Sequence, residues 1–295
     1  MLPDQYPNEP WRDPRLGERR TVDLPGGRLE FHDAGTGPAL VFVHGYLVNA
    51  NLWRKVVPLL TDHFRCITPD WPLGSHALPM RPETDLSPHG IADLVAQFLA
   101  VAGLDDATLV GNDSGGAYSQ IAAARHPERI TRLVLNSCET PRCSWPPDPG
   151  GFGLLKAAAR HMTTHRALYQ PLRFPATWRW RNTYGWLAKA PIDDRVMHSY
   201  VDPVIHDAAI RHDGRKAISG VSARYSRAAA DVLARRDDLD ALLVWAADDR
   251  VFPLDHAKQY ARELGARLVT ITDSYTYTAE DQPEQLAYAL IDHLT

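Results

Sequence analysis

Ala107-Thr108-Leu109-Val110-Gly111-Asn112-Asp113-Ser114-Gly115-Gly116 runs an apolar stretch directly into an alanine-rich helical pattern over residues 114–125. A continuous apolar run marks a strand buried on both faces of a parallel sheet. The turn that follows has small residues on either side of a central one. That is what a nucleophile elbow requires, because its middle residue is strained and tolerates no bulk beside it. The glycines at 111 and 115 centre the turn on Asp113. A rival frame centres it on Ser114 and puts Asn112 in the first small position, which Gly111 fills better. The helix beginning there aims backbone N–H groups at the same spot, where they favour negative charge. Taken alone, such a turn is also compatible with a glycine-rich connection that carries no chemistry.

Outward from this turn, strand and helix signals alternate. Residues 19–23 and 28–32 flank Pro25-Gly26-Gly27 and read as a hairpin. Residues 39–44 form another buried strand, followed by a helical pattern at 49–60 and a short strand at 64–68. Residues 87–103 have helical spacing, with Ser87 as cap, Pro88 in the first position and Gly103 as the stop. A further strand occupies 130–135. The rhythm breaks at 140, where Pro, Trp and Arg become dense. It returns with strands at 241–246 and 267–271 and helices at 254–264 and 280–293. The alternation predicts an α/β core with a mainly parallel sheet. Residues 1–139 and 227–295 make that core, and a mostly helical insertion covers 140–226.

Composition narrows the class. The chain has 295 residues, 44% hydrophobic and 23% charged, the balance of a globular protein with a sizeable core. Its formal charge of −4 and isoelectric point near 6.3 argue against a nucleic-acid partner. Three cysteines, Cys66, Cys138 and Cys143, cannot all pair, so they read as thiols of a reducing compartment. The first fourteen residues lack the apolar centre of a signal peptide, and no apolar run reaches bilayer length. These features predict a soluble, cytoplasmic protein without a membrane partner.

His44-Gly45-Tyr46-Leu47 follows the first buried parallel strand, and Trp53 stands in Asn51-Leu52-Trp53-Arg54. With the aspartate-centred turn, these motifs resemble the α/β-hydrolase family, and most of all its haloalkane dehalogenase and epoxide hydrolase branch. The resemblance covers nearly the whole chain outside 140–226. It implies an eight-stranded, mostly parallel sheet flanked by helices, with a helical cap inserted after strand six. It also implies Asp113 as the catalytic carboxylate and an oxyanion hole built from the backbone N–H groups of Tyr46 and Ser114. In Trp245-Ala246-Ala247-Asp248-Asp249-Arg250-Val251-Phe252-Pro253 the family register puts the supporting acid at Asp249, although both aspartates also fit a polar strand end. Glu139 lies near the alternative acid position of some dehalogenases, but out of register.

The same resemblance exposes a departure. Relatives carry a histidine ahead of the final helix. Counting back from Glu280-Asp281-Gln282-Pro283 puts Thr276 in its place, and no histidine occurs between His256 and His293. An aspartate could still attack carbon and form an ester. Hydrolysing that ester needs an activated water, and general-base assistance is worth roughly a hundred- to ten-thousand-fold. Family dehalogenases grip halide with a tryptophan after the aspartate, where this chain has Ser114, and Tyr46 stands where many have a polar halide contact. Dehalogenation is therefore not expected. Epoxide hydrolases protonate the ring oxygen with cap tyrosines. Tyr169, Tyr184, Tyr200 and Tyr225 lie in the insertion, though core or rim residues would read the same way.

Between residues 150 and 192 the chain has Lys156, Arg160, Arg166, Arg173, Arg179, Arg181 and Lys189 but no acid, interleaved with Trp178, Trp180 and Trp186. Such a mixture suits flat, electron-rich or anionic ligands; it also suits a solvated cationic face over an aromatic packing layer. His44, Trp53, Trp178, Trp180, Tyr184 and Tyr277 are the expected substrate-binding residues. His126 reads as part of a helix end. A replacement base could come from His161, His165, His198, His206 or His212. His161 and His165 have the spacing of a helical zinc pair, yet Met162 stands where a metalloprotease needs glutamate and no third ligand is apparent, so no metal is expected. The resulting expectation is an atypical, non-hydrolytic, cofactor-independent enzyme, a monomer or homodimer, acting on a small molecule, a bulky aromatic metabolite, with Asp113, Asp249 and Thr276 at its centre. A hydrolase with a non-standard base and a ligand-binding pseudoenzyme are the alternatives.

Overall fold

A computed structural model describes residues 11–148 and 152–295. Most of the stretch read as lacking a signal peptide lies outside these described residues. The strands are β1 (Glu18–Leu24), β2 (Gly27–Ala34), β3 (Ala39–Val43), β4 (Arg65–Pro69), β5 (Thr108–Asp113), β6 (Arg132–Cys138), β7 (Asp240–Ala246) and β8 (Arg267–Ile271). They form one eight-stranded sheet in the order β1-β2-β4-β3-β5-β6-β7-β8. The β1–β2 and β2–β4 pairs are antiparallel and the rest are parallel. The expected eight-stranded, mostly parallel architecture is present.

The helices are α1 (Val57–Leu60), α2 (Pro88–Val101), α3 (Ser114–Arg125), α4 (Gly153–Ala158), α5 (Met162–Tyr169), α6 (Asp194–His206), α7 (Ala208–Gly220), α8 (Ala223–Leu233), α9 (Leu254–Leu264), α10 (Thr278–Asp281) and α11 (Pro283–Leu294). Central strands are buried on both faces, so β3, β5 and β7 read as unbroken apolar runs. The Ser87 hydroxyl accepts the Gly90 N–H at 3.2 Å, and Pro88 opens α2, as its sequence predicts.

Residues 49–60 depart from expectation. They form a 3-10 turn (Ala50–Trp53) and the single-turn α1, not one helix. Side chains hold the backbone in that shape: Asn49 Oδ1 accepts the Asn51 N–H at 3.1 Å and Asp70 Oδ1 accepts the Ala50 N–H at 3.0 Å. Helix α8 also differs. It packs against α3, and its first turn falls inside the segment read as insertion.

Helices α4 to α7 follow β6 and lie over the C-terminal ends of the parallel strands. Contacts to the core anchor this segment; among them, Tyr184 Oη donates to Leu47 O at 2.7 Å, the Asp281 carboxylate accepts the Lys189 N–H at 2.9 Å, and the Asp213 carboxylate accepts the Met80 N–H at 2.8 Å. In open α/β sheets, ligands bind at these strand ends. The fold therefore builds its site between the sheet and the inserted helices.

Candidate active site

The turn after β5 is strained. Asp113 has φ 53° and ψ −140°, in a region that L-residues rarely adopt, and a register shift separates it from Asn112. Close packing demands the small neighbours. A Cβ on Gly111 would lie 2.6 Å from Gly116 Cα, and one on Gly115 would collide with Val43 O. Gly45 serves the carboxylate itself, since a Cβ there would sit 2.5 Å from Asp113 Oδ2.

Asp113 opens into a cavity of about 180 Å³. Its floor includes Asp113, Ser114, Tyr46 and Glu139. Its aromatic walls include Trp145, Phe152, Tyr169, Trp180 and Tyr184. Among the described residues, no Lys, Arg or His lines it. The seven basic side chains of residues 152–192 point elsewhere, and Trp180 is the part of the expected basic–aromatic ligand surface that reaches the cavity.

Both backbone donors expected for an oxyanion hole have internal partners. The Ser114 N–H donates to Asp113 Oδ1 at 2.7 Å and the Tyr46 N–H to Ser114 Oγ at 3.1 Å. A ligand oxygen would have to displace these contacts to use them.

Three carboxyls are buried together. Burial pushes Asp113 up to about 7; the Ser114 N–H opposes the shift, and the charge of Asp249 adds to it. Burial likewise pushes Asp249 up to about 6, against the N–H groups of Phe252 and Val251 and the hydroxyls of Thr276 and Ser137. Glu139 is held well above the carboxylate range, first by burial and then by the charge of Asp113. It is 1% exposed, and neither of its oxygens has a hydrogen-bond partner. The Asp249 Oδ2 atom is also buried without a partner. Among the described residues, no histidine hydrogen-bonds to any of these three carboxyls.

Thr276 is fully buried and donates its hydroxyl to Asp249 Oδ1 at 2.9 Å. Asn112 fixes this loop, since its Nδ2 donates to Thr276 O at 2.8 Å and to Asn136 O at 2.8 Å. Across the cavity, the hydroxyls of Tyr46 and Tyr169 are 2.7 Å apart, and His165 Nε2 lies 3.0 Å from Tyr169 Oη and 3.3 Å from Tyr46 Oη. Burial pushes His165 down to about 4, so it is a neutral acceptor here. His161 is the residue before α5 and has extended backbone, so it shares no helical face with His165.

Several expected substrate contacts lie behind the cavity wall. His44 is fully buried; its Nε2 accepts the Trp71 N–H at 2.9 Å, which leaves Nδ1 to donate to Gly45 O at 2.9 Å. Trp53 packs on Phe42 at 4.8 Å between ring centroids. Trp178 donates to Leu172 O at 2.8 Å and meets the His198 ring edge-on. Tyr277 is buried with an unpartnered hydroxyl, raised well above 10 by burial and then by the charge of Asp113. The sequence reading gave no role to Asn112 or Trp145. Glu139 is out of register for the alternative acid, yet its place directly after β6 puts it on the cavity floor.

The sheet order, the strained Asp113 turn and the inserted helices together define the class of protein. The sequence profile of the alpha/beta hydrolase fold matches residues 38–283, and the chain belongs to that family. Haloalkane dehalogenase 2 of Mycobacterium tuberculosis (strain ATCC 25618 / H37Rv) is 29% identical over 95% of this chain and 96% of its own length. The haloalkane dehalogenase DatA of Agrobacterium tumefaciens C58 shares the fold at a TM-score of 0.76 and 18% identity, covering 95% of this chain and 97% of DatA. The epoxide hydrolase CorEH shares it at a TM-score of 0.74 and 17% identity, over 94% and 98% of the two chains. Among the described residues, no helix is long and apolar enough to cross a membrane.

Proposed function

We propose that this chain is an α/β-hydrolase-fold enzyme that does not hydrolyse, and that Asp113 acts as a base on an apolar, ring-bearing small molecule. The observation that carries this reading is the buried group of Asp113, Asp249 and Glu139, to which no histidine hydrogen-bonds among the described residues. Thr276 bonds Asp249 at 2.9 Å, and we read it as standing where relatives carry histidine. A threonine hydroxyl cannot take a proton from water at neutral pH. A carboxylate titrating near 7 can take one from an activated C–H, since a base works best when its pKa is close to the operating pH. In such a step Asp113 removes the proton while the electron pair moves onto a substrate oxygen. The N–H groups of Ser114 and Tyr46 then stabilise that oxygen, and the proton returns at another position to complete a rearrangement or ring opening. The aromatic walls suit a flat substrate.

The test is deuterium exchange at the acidic C–H of aryl ketone probes in D₂O, followed by NMR. The wild type is expected to accelerate exchange and Asp113→Asn to lose the effect. Equal exchange in both would end the reading. A second reading, epoxide opening, is supported by the Tyr46–Tyr169 hydroxyl pair 2.7 Å apart, which lines the same cavity as Asp113. Tyrosine O–H would protonate the ring oxygen as Asp113 attacks carbon. Continuous diol formation from styrene oxide, lost in Tyr169→Phe, would favour it.

A further inference from the structure

Residues 152–192 carry Lys156, Arg160, Arg166, Arg173, Arg179, Arg181 and Lys189 and no acidic residue, in a chain whose formal charge is −4. The five arginines are exposed, and among the described residues none pairs with a carboxylate. Arg173 donates to Gln170 Oε1, Arg179 to Lys189 O, and Arg181 lies over the Trp186 ring. The same stretch exposes Leu154 (54%), Met162 (66%), Phe174 (66%) and Trp180 (52%), whereas the other exposed large apolar side chains are scattered over core elements.

The local structure turns these groups outward together. Helix α4 buries none of its residues, and α5 buries only His165 and Tyr169. Met162 and Arg166 are both exposed and one helical turn apart on α5, and positions i and i+4 share a face. Leu154 and Trp180 are exposed and also line the cavity, so this surface borders its mouth.

We propose that residues 152–181 dock the enzyme on an anionic lipid surface, with the cavity mouth facing the lipid. Cations beside exposed Phe, Trp, Leu and Met are the two signals that peripheral binding needs: attraction to anionic headgroups and shallow insertion of apolar side chains. Peripheral docking requires no spanning helix. The charge also selects against a second copy seated face to face, because five exposed arginines would meet five. Phe174 and Trp180 would serve a lipid surface or a single-stranded nucleic acid alike, whereas exposed Leu154 and Met162 offer no stacking ring and favour lipid.

The test is co-sedimentation of the full chain with vesicles of phosphatidylcholine alone and of phosphatidylcholine mixed with phosphatidylglycerol. Binding is expected only to the anionic vesicles and should weaken as salt rises. Arg166→Glu and Arg173→Glu are each expected to lower it by roughly fivefold or more. Phe174→Glu should lower it too, and none of these three residues lines the cavity. Equal binding to both vesicle types, or none, would overturn the proposal. So would indifference to all three substitutions, or tighter binding to single-stranded DNA than to the anionic vesicles. A dimer that Phe174→Glu converts to monomer would overturn it in favour of self-association.

Discussion

The Thr276 hydroxyl donates to Asp249 Oδ1 over 2.9 Å, so the carboxylate whose charge raises Asp113 is supported by a group with no acid–base range near pH 7. Asp249 accepts three such bonds on one oxygen, from Thr276, Val251 N–H and Phe252 N–H, and leaves the other without a partner. The arrangement holds the carboxylate in place without giving it a proton to relay.

Thr276→Val keeps the side-chain shape and removes the donor. A hydrogen bond to a charged group is worth about 1.5–3 kcal/mol, so denaturation at pH 8 should show a loss of that order. The Asp249 carboxyl then rises above about 6, and the loss should shrink at pH 5, where less of it is ionised. A loss that is flat with pH would mean that Thr276 acts by packing alone.

Asp113 gives stability and activity opposite pH dependences. Its carboxyl is raised from 3.8 to about 7, so the folded state holds the proton more tightly than the unfolded chain. The associated stability is complete below the unfolded value and is lost as pH rises towards about 7. Asp113→Asn should therefore gain stability over the wild type between those values and level off above them. At about 1.4 kcal/mol per unit the gain could reach a few kcal/mol. Activity should instead rise through pH 7 in the wild type and be absent from the variant. Paired thermal melts and exchange rates from pH 4 to 9 check both.

Gly45→Ala should damage the site without touching substrate. The added methyl would fall 2.5 Å from Asp113 Oδ2 and 2.8 Å from its Cγ, so the carboxylate must move. Overpacking of this kind costs about 1–3 kcal/mol, and activity should drop more than the melting temperature suggests. An active, equally stable variant would show that the carboxylate has room to shift.

Glu280→Gln breaks a buried ion pair. Arg54 donates to both Glu280 oxygens, at 2.6 and 2.9 Å, and both side chains are nearly fully buried. Leaving Arg54 unpaired should cost about 3–5 kcal/mol by chemical denaturation.

The core strands and the sharp turn at Asp113 were legible because each is local: an apolar run and a small-residue pattern. Contacts between distant segments were not. Nothing local tells that Asn49 and Asp70 side chains stop residues 49–60 from forming one helix, or that Asn112 ties β5 to the Thr276 loop. His44 and Trp53 belong to recognisable motifs, yet both face away from the cavity, because a motif fixes position along the chain and not the side a ring points to. The arginines of residues 152–181 left two readings open, a ligand surface and a solvated face: composition located the charge, and only packing showed that it faces outward.

The measurement that bears most directly on the central claim is product formed per enzyme from styrene oxide and 1-bromobutane, with intact-protein mass spectra of each reaction. With no histidine among the described residues hydrogen-bonded to the buried carboxyls, attack by Asp113 on either carbon should stop at roughly one product per chain, as an alkyl ester whose mass increase Asp113→Asn lacks. Sustained turnover of either substrate, abolished by Asp113→Asn, would mean that water is activated at this site by another group, and the non-hydrolytic account would be wrong.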